Sequence, residues 1–278
     1  MPEHNFSDFP DRFPSPKSPE KKSKQIQMAG FSQSKDKNLK NNQDEFFINP
    51  ENHSFGVFDG ANGAPNGKLA AETCSKLTQQ LLSEVSPYFP NLSPDNIKET
   101  LQDISTKVNS AVLNGYSTGL FGVITTDSNG KRRAYIGCVG DSRAYLVHHN
   151  VLYPETRDQN YISYPNQDRL DKLKGKKLAK FKKHFINEAD ERLGQAYGQK
   201  SVYLVITQID LEPKDSLLIF TDGITHNLKE REISSIYKTY RHENPETISQ
   251  KFIQQSYDTS LKKDGTPDDM TAVVIKIK

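Results

Sequence analysis

Four acidic positions in this chain sit at the ends of apolar runs. Phe55-Gly-Val-Phe58 leads straight into Asp59-Gly60, and Leu217-Leu-Ile-Phe-Thr221 leads into Asp222-Gly223. Ile136-Gly-Cys-Val-Gly140 leads into Asp141-Ser-Arg143, and Asp268-Asp269 precedes the apolar run 271–277. Asp-Gly after a strand is first of all a hairpin-turn signal. Neither Asp59-Gly60 nor Asp222-Gly223 is followed by a returning strand within hairpin distance; a helical pattern comes next in both cases. Several carboxylates at one strand edge repel one another unless a cation neutralises them. All-oxygen ligands of this kind suit Mg²⁺ or Mn²⁺ rather than zinc, so the residues point to a hard-metal site.

Such a site needs rigid elements to hold it. Runs rich in Val, Ile, Phe and Tyr predict strands over 45–48, 54–58, 120–126, 133–139, 144–148, 201–209, 216–221 and 271–277. Helical spacing predicts helices over 68–85, 94–113, 229–240 and 245–261, with Ser93 as N-cap and Pro94 in the first turn of the second. In the first of these, Leu69, Cys74, Leu77, Leu81 and Leu82 are expected to share the buried face. Strands grouped in pairs with helices between the groups predict an α+β fold on antiparallel sheet, its helices covering the outside. Residues 1–27, with five prolines among the first 20, read as a disordered tail ahead of a single domain over 28–278.

Composition removes several function classes. The 278 residues carry 37 Lys+Arg against 35 Asp+Glu, a balance unlike that of a general nucleic-acid binder. No apolar run approaches the roughly 18 residues needed to cross a bilayer, and no secretory signal is visible. Two cysteines, Cys74 and Cys138, lie in a helical face and a strand, so both read as core, and a cytoplasmic monomer is expected. Seven lysines crowd the stretch from Lys172 to Lys183, interleaved with Leu and Phe at near-helical spacing. This basic strip reads as a solvated amphipathic helix, with docking of an acidic partner as the alternative.

The ordered set Asn41-Asn-Gln-Asp44, Phe55-Gly-Val-Phe-Asp-Gly60, Gly115-Tyr-Ser-Thr118, Val139-Gly-Asp-Ser-Arg143, Leu217-Leu-Ile-Phe-Thr-Asp-Gly223 and Asp268-Asp-Met-Thr271 resembles the metal-dependent protein phosphatases of the 2C type, the PPM family, in its bacterial-like branch. Arg192-Leu-Gly194 and the Pro213-Lys-Asp215 turn also look like that family. The resemblance implies two antiparallel β-sheets packed as a sandwich with helices on both outer faces, and two Mg²⁺ or Mn²⁺ ions at one end. It implies that Asp59 bridges the metals, that Gly60 offers its carbonyl, and that Asp222 and Asp268 are further ligands, with Asp44 contributing in place of the neutral Gln43. The implied reaction is hydrolysis of phosphoserine or phosphothreonine in proteins, by direct attack of a metal-bridging hydroxide on phosphorus. Residues 155–190, containing the basic strip, correspond to the family's flap beside the site.

The chain departs from the family pattern in places. Ala61 stands where many members carry a histidine that protonates the leaving group. The usual phosphate-binding arginine is missing, leaving Lys37 and Lys40 as the candidate phosphate ligands. His226 occupies the place of an aspartate that helps hold a third metal with the equivalent of Asp141, so Asp141 and His226 are accessory candidates. Asp269, also accessory, replaces a common asparagine, a variant that looks like the sporulation and stress-response phosphatases. Arg143 reads as an ion-pair partner. These departures keep open two alternatives: a metal-poor relative that binds phosphoproteins as a scaffold, and a phosphatase of small phosphate esters.

Overall fold

A computed structural model describes residues 26–62, 65–127, 129–159, 193–262 and 267–278. The first 25 residues, the basic strip and Arg192 lie outside the described residues. Two five-stranded sheets form the centre. One runs across β1 (Ile26–Gln33), β10 (Met270–Ile277), β9 (Ser216–Phe220), β6 (Arg143–His148) and β7 (Val151–Pro154). The other runs across β2 (Asp44–Asn49), β3 (Ser54–Asp59), β4 (Gly119–Thr126), β5 (Arg132–Val139) and β8 (Val205–Leu211). Every neighbouring pair is antiparallel. The five helices of the described residues are α1 (Gly67–Val85), α2 (Pro94–Ala111), α3 (Asp222–Thr225), α4 (Glu230–Tyr240) and α5 (Pro245–Lys262).

Period-two alternation decides which side chains meet. In β10, Val273, Ile275 and Ile277 face the layer between the sheets, while Met270, Ala272 and Val274 face helices. In β9, Leu217 and Ile219 point inward and Leu218 and Phe220 outward. Phe55 and Val57 of β3, Leu120 of β4 and Ile136 of β5 close the inter-sheet layer from the other side. Each such side chain, fully withdrawn from water, contributes roughly 1.5–3 kcal/mol. The outer layers repeat the principle: α1 and α2 pack on β2–β5, and α4 and α5 on the β1–β10–β9 side.

α2 starts as its sequence indicates, with the Ser93 hydroxyl accepting the Asn96 N–H at 3.2 Å and Pro94 in the first turn. It stops at Ala111, short of the expected 113, and Leu113 is exposed. α1 buries Cys74, Leu81 and Leu82 as expected, but Leu69 lies off the buried face. Ala70, Ala71, Cys74, Leu81, Leu82 and Val85 are buried, whereas Leu69 is 56% exposed and Leu77 only partly covered. The two alanines let the helix approach the sheet closely, and position 69 falls about 100° away from that stripe. β8 begins at Val205 rather than 201. β1 and β7, both edge strands, escape the sequence patterns, and β1 begins two residues before the expected domain start. No helix among the described residues is long and apolar enough to cross a membrane.

Candidate metal centre

The antiparallel register brings the acidic positions to one end. Asp44 opens β2 and Asp59 closes β3, and the two are directly paired across the ladder. Asp222 starts α3 two residues past the end of β9, Asp268 stands two residues before β10, and Asp141 lies between β5 and β6. Both glycines that follow an aspartate are needed for close backbone contact. A Cβ on Gly60 would stand 2.5 Å from the Gly67 backbone, and one on Gly223 would stand 2.0 Å from the Asp269 carbonyl oxygen. Asp-Gly here seats a helix start against its neighbour instead of turning a hairpin.

Asp44 is buried and its two oxygens are treated differently. Oδ2 accepts hydrogen bonds from the Thr221 and Thr271 hydroxyls, each at 2.8 Å. Oδ1 is buried with no hydrogen-bond partner. The Asp44 N–H is held by Asn42 Oδ1 at 3.1 Å. Asp59 is positioned by Thr118, whose hydroxyl accepts the Asp59 N–H at 3.2 Å and is itself hydrogen-bonded to Ser142 at 3.1 Å. The Asp59 and Asp222 carboxyls hydrogen-bond to each other. Asp268 Oδ1 accepts from Asn62 Nδ2 at 2.7 Å and from the Asp269 N–H at 2.8 Å.

The electrostatics favour a bound cation. Burial, with the charges of Asp222 and Asp269 adding to it, pushes Asp44 up to about 8 despite its two threonine hydrogen bonds. Burial and the facing Asp222, Asp44 and Asp141 push Asp59 well above the usual carboxylate range. Asp141 is pushed up to about 7 by burial, Asp222 and Asp158. Burial also raises Asp222, with His226 and the hydrogen bond from Asp59 pulling the other way. Among the described residues no three of these carboxylates bring oxygens within 4.8 Å of one another. An orphaned carboxylate oxygen, raised proton affinities and an all-oxygen donor set fit divalent hard cations.

Of the remaining candidates, Asp269 and His226 border the carboxylates, whereas Lys37 points elsewhere. Asp269 clamps the β1–β2 loop: Oδ1 accepts the Lys35 N–H and Oδ2 the Gln43 N–H, both at 2.8 Å. His226 is half exposed, with Nδ1 3.4 Å from Asp222 Oδ2. Arg143 forms a two-pronged pair with Asp158 at 2.7 and 2.6 Å. Lys37 places its Nζ 4.3 Å from the centre of the Tyr257 ring, and Lys40 is exposed, with its carbonyl bound by Lys68. Lys35 reaches toward the carboxylates: its Nζ donates to Asn62 Oδ1 at 3.1 Å while Asn62 holds Asp268. Lys35 and Asn62 escaped the sequence reading. Thr221 and Thr271 did too, although both stand inside the Thr-Asp-Gly and Asp-Asp-Met-Thr motifs whose aspartates drew attention.

Residues 180–278 match the family described as Stage II sporulation protein E. The serine/threonine phosphatase stp of Listeria monocytogenes serotype 4b (strain F2365) is 26% identical over 231 residues, covering 79% of this chain and 82% of the relative. Over most of its length the chain is thus similar to bacterial serine/threonine phosphatases. The PPM fold recurs in solved structures. The Streptococcus relative described as the S. agalactiae serine/threonine phosphatase superposes with a TM-score of 0.69 at 17% identity, over 91% of this chain and 100% of the other. The Mycobacterium tuberculosis serine/threonine phosphatase PstP/Ppp gives 0.68 at 18%, over 91% and 99%. The catalytic domain of PstP has also been solved with two manganese ions, and it matches with a TM-score of 0.64 at 18% identity, over 91% and 98%.

Proposed function

We propose that this chain is a PPM-type, Mg²⁺- or Mn²⁺-dependent phosphatase of phosphoserine and phosphothreonine in proteins. The observation that carries the reading is Asp44, a buried carboxylate fixed by two hydroxyls on one oxygen and left without a partner on the other. Asp44, Asp59, Asp222 and Asp268, with the Gly60 carbonyl, are the residues that would hold two divalent ions, and Asp141 is the candidate for a further one. Ions held there supply Lewis-acid charge for the phosphoryl oxygens and lower the pKa of water toward neutrality.

The chain's own groups do the rest. Thr221 and Thr271 fix Asp44, Thr118 fixes Asp59, and Asn62 fixes Asp268, so the carboxylates are oriented before substrate arrives. Lys35, linked through Asn62 to Asp268, is the residue proposed to meet the phosphate charge, in preference to Lys37 and Lys40. Ala61 offers no proton, so the leaving alkoxide is protonated from solvent. Neither cysteine can act as the nucleophile, because both are buried and burial pushes their thiols up. The intact carboxylate set weighs against a metal-free scaffold. Phosphate release from a phosphothreonine peptide, measured with Mn²⁺ and again with excess chelator, tests the proposal: it requires release that the chelator stops. No release with Mn²⁺ refutes it.

A further inference from the structure

At the opposite end of the same sheets, β6 closes on His148, and the β6–β7 turn follows with His149 and Asn150 at φ 49° and 64°. β8 ends one residue before Glu212, in the turn that leads to β9. A ring nitrogen of His148, a ring nitrogen of His149 and a carboxylate oxygen of Glu212 all lie within 4.8 Å of one another. Beneath them sits Asp215, 2% exposed, with Oδ1 2.8 Å from His148 Nδ1 and Oδ2 accepting the Glu212 N–H at 2.8 Å. One buried carboxylate therefore orients both the imidazole and the turn that presents Glu212.

We propose that His148, His149 and Glu212 form a zinc-class divalent cation site, separate from the carboxylate centre, with Asp215 as its positioning residue. A carboxylate on Nδ1 holds the proton there and leaves the Nε2 lone pair of His148 for a metal, an arrangement typical of metal-bound histidines. Two imidazoles and one carboxylate are a borderline donor set that selects Zn²⁺ over Mg²⁺ and leaves a fourth position for water. The two rings stack with centroids 4.0 Å apart at 24°, so their lone pairs run side by side. A shared ion is reached when the exposed His149 ring swings out of the stack, a rotation that nothing buried opposes. The bound ion would tie the tip of a hairpin in one sheet to the turn arriving from the other. The site lies a strand length from the carboxylates, on the order of 16 Å along β6.

The test is calorimetric titration of ZnCl₂ into untagged full-length chain carrying Asp222→Asn, in saturating Mg²⁺, so that the carboxylate centre does not compete. The expected result is one Zn²⁺ site that Mg²⁺ does not displace, weakened about ten-fold or more by His149→Asn and by Glu212→Gln. Asn accepts the left-handed backbone at position 149, so an unchanged metal-free melting temperature shows that the turn survives. A Zn²⁺-induced rise in Tm should be present in the parent chain and lost in the double variant. No Zn²⁺ binding, or binding undiminished in the double variant, overturns the proposal.

Discussion

An aspartate stands just beyond each end of β9, Asp215 buried and Asp222 partly exposed, and the two have different surroundings. At one end, Asp215 gives each oxygen a donor, the His148 ring and the Glu212 amide. At the other, Asp222 shares its surroundings with Asp59 and lies within the field of Asp268, with His226 3.4 Å away on its open side. Asp44, in the same crowded region, keeps one oxygen with no donor at all. A satisfied buried carboxylate positions its neighbours, whereas an unsatisfied cluster stores a demand for cations. The difference lies in what surrounds the residue, because its type and its strand-end placement are the same.

The comparison can be broken most directly at the crowded end. Asp222→Asn is expected to lower turnover by about 10³-fold or more, the upper scale for losing one charge-stabilising group, with the circular dichroism spectrum unchanged. Residual activity near the parent value would show that the carboxylates do not carry the chemistry. Ala61→His should raise turnover on a phosphothreonine peptide, at the lower end of the ~10²–10⁴-fold range of general acid help. It should leave p-nitrophenyl phosphate nearly unaffected, because that leaving group needs no proton. Equal gains on both substrates would rule out a proton-donor explanation.

Thr271→Val removes one hydroxyl from Asp44 and should weaken Mn²⁺ binding about 10–100-fold by calorimetry, as loss of a ligand's outer partner does. Unaltered affinity would mean that Asp44 holds no ion. The pH response should separate the two states of the crowded end. Its carboxyls are raised above their unfolded values, so the metal-free fold holds extra protons and loses stability as pH rises from about 4 toward 8. Metal needs those protons gone, so apparent Mn²⁺ affinity should fall about ten-fold per proton displaced between pH 8 and pH 7. Thermal melts at pH 6 and pH 8, with and without Mn²⁺, should therefore show opposite trends; parallel trends would contradict the assignment. The smallest effect belongs to the far end, where His149→Asn should change phosphatase turnover less than two-fold, and a larger change would mean that the two ends communicate.

Much of the crowded end could be read from one sequence, because Asp59, Asp141, Asp222 and Asp268 each border an apolar run with a clear period. The sandwich followed from the same runs. What stayed hidden depends on loop register and pairing partners. Lys35 rather than Lys37 turns toward the site because Asp269 fixes the loop by its backbone, which no local pattern reveals. β1 and β7 are edge strands with few fully buried residues, so alternation is weak. Leu69 was misplaced because a leucine counts for more than two alanines in a hydropathy pattern, although the alanines set the packing distance. His149 and Glu212 are 63 positions apart, and only the folded sheets make them neighbours.

β10 lies between β1 and β9, and it brings Asp268, Asp269 and Thr271 with it. Made after every other described element, it supplies the only described sheet partner of β1, some 240 residues upstream. During synthesis, then, Asp44 waits without its Thr271 hydroxyl and the β1–β2 loop without its clamp until this strand leaves the ribosome. A carboxylate centre built this way is assembled in one step, when β10 inserts between β1 and β9.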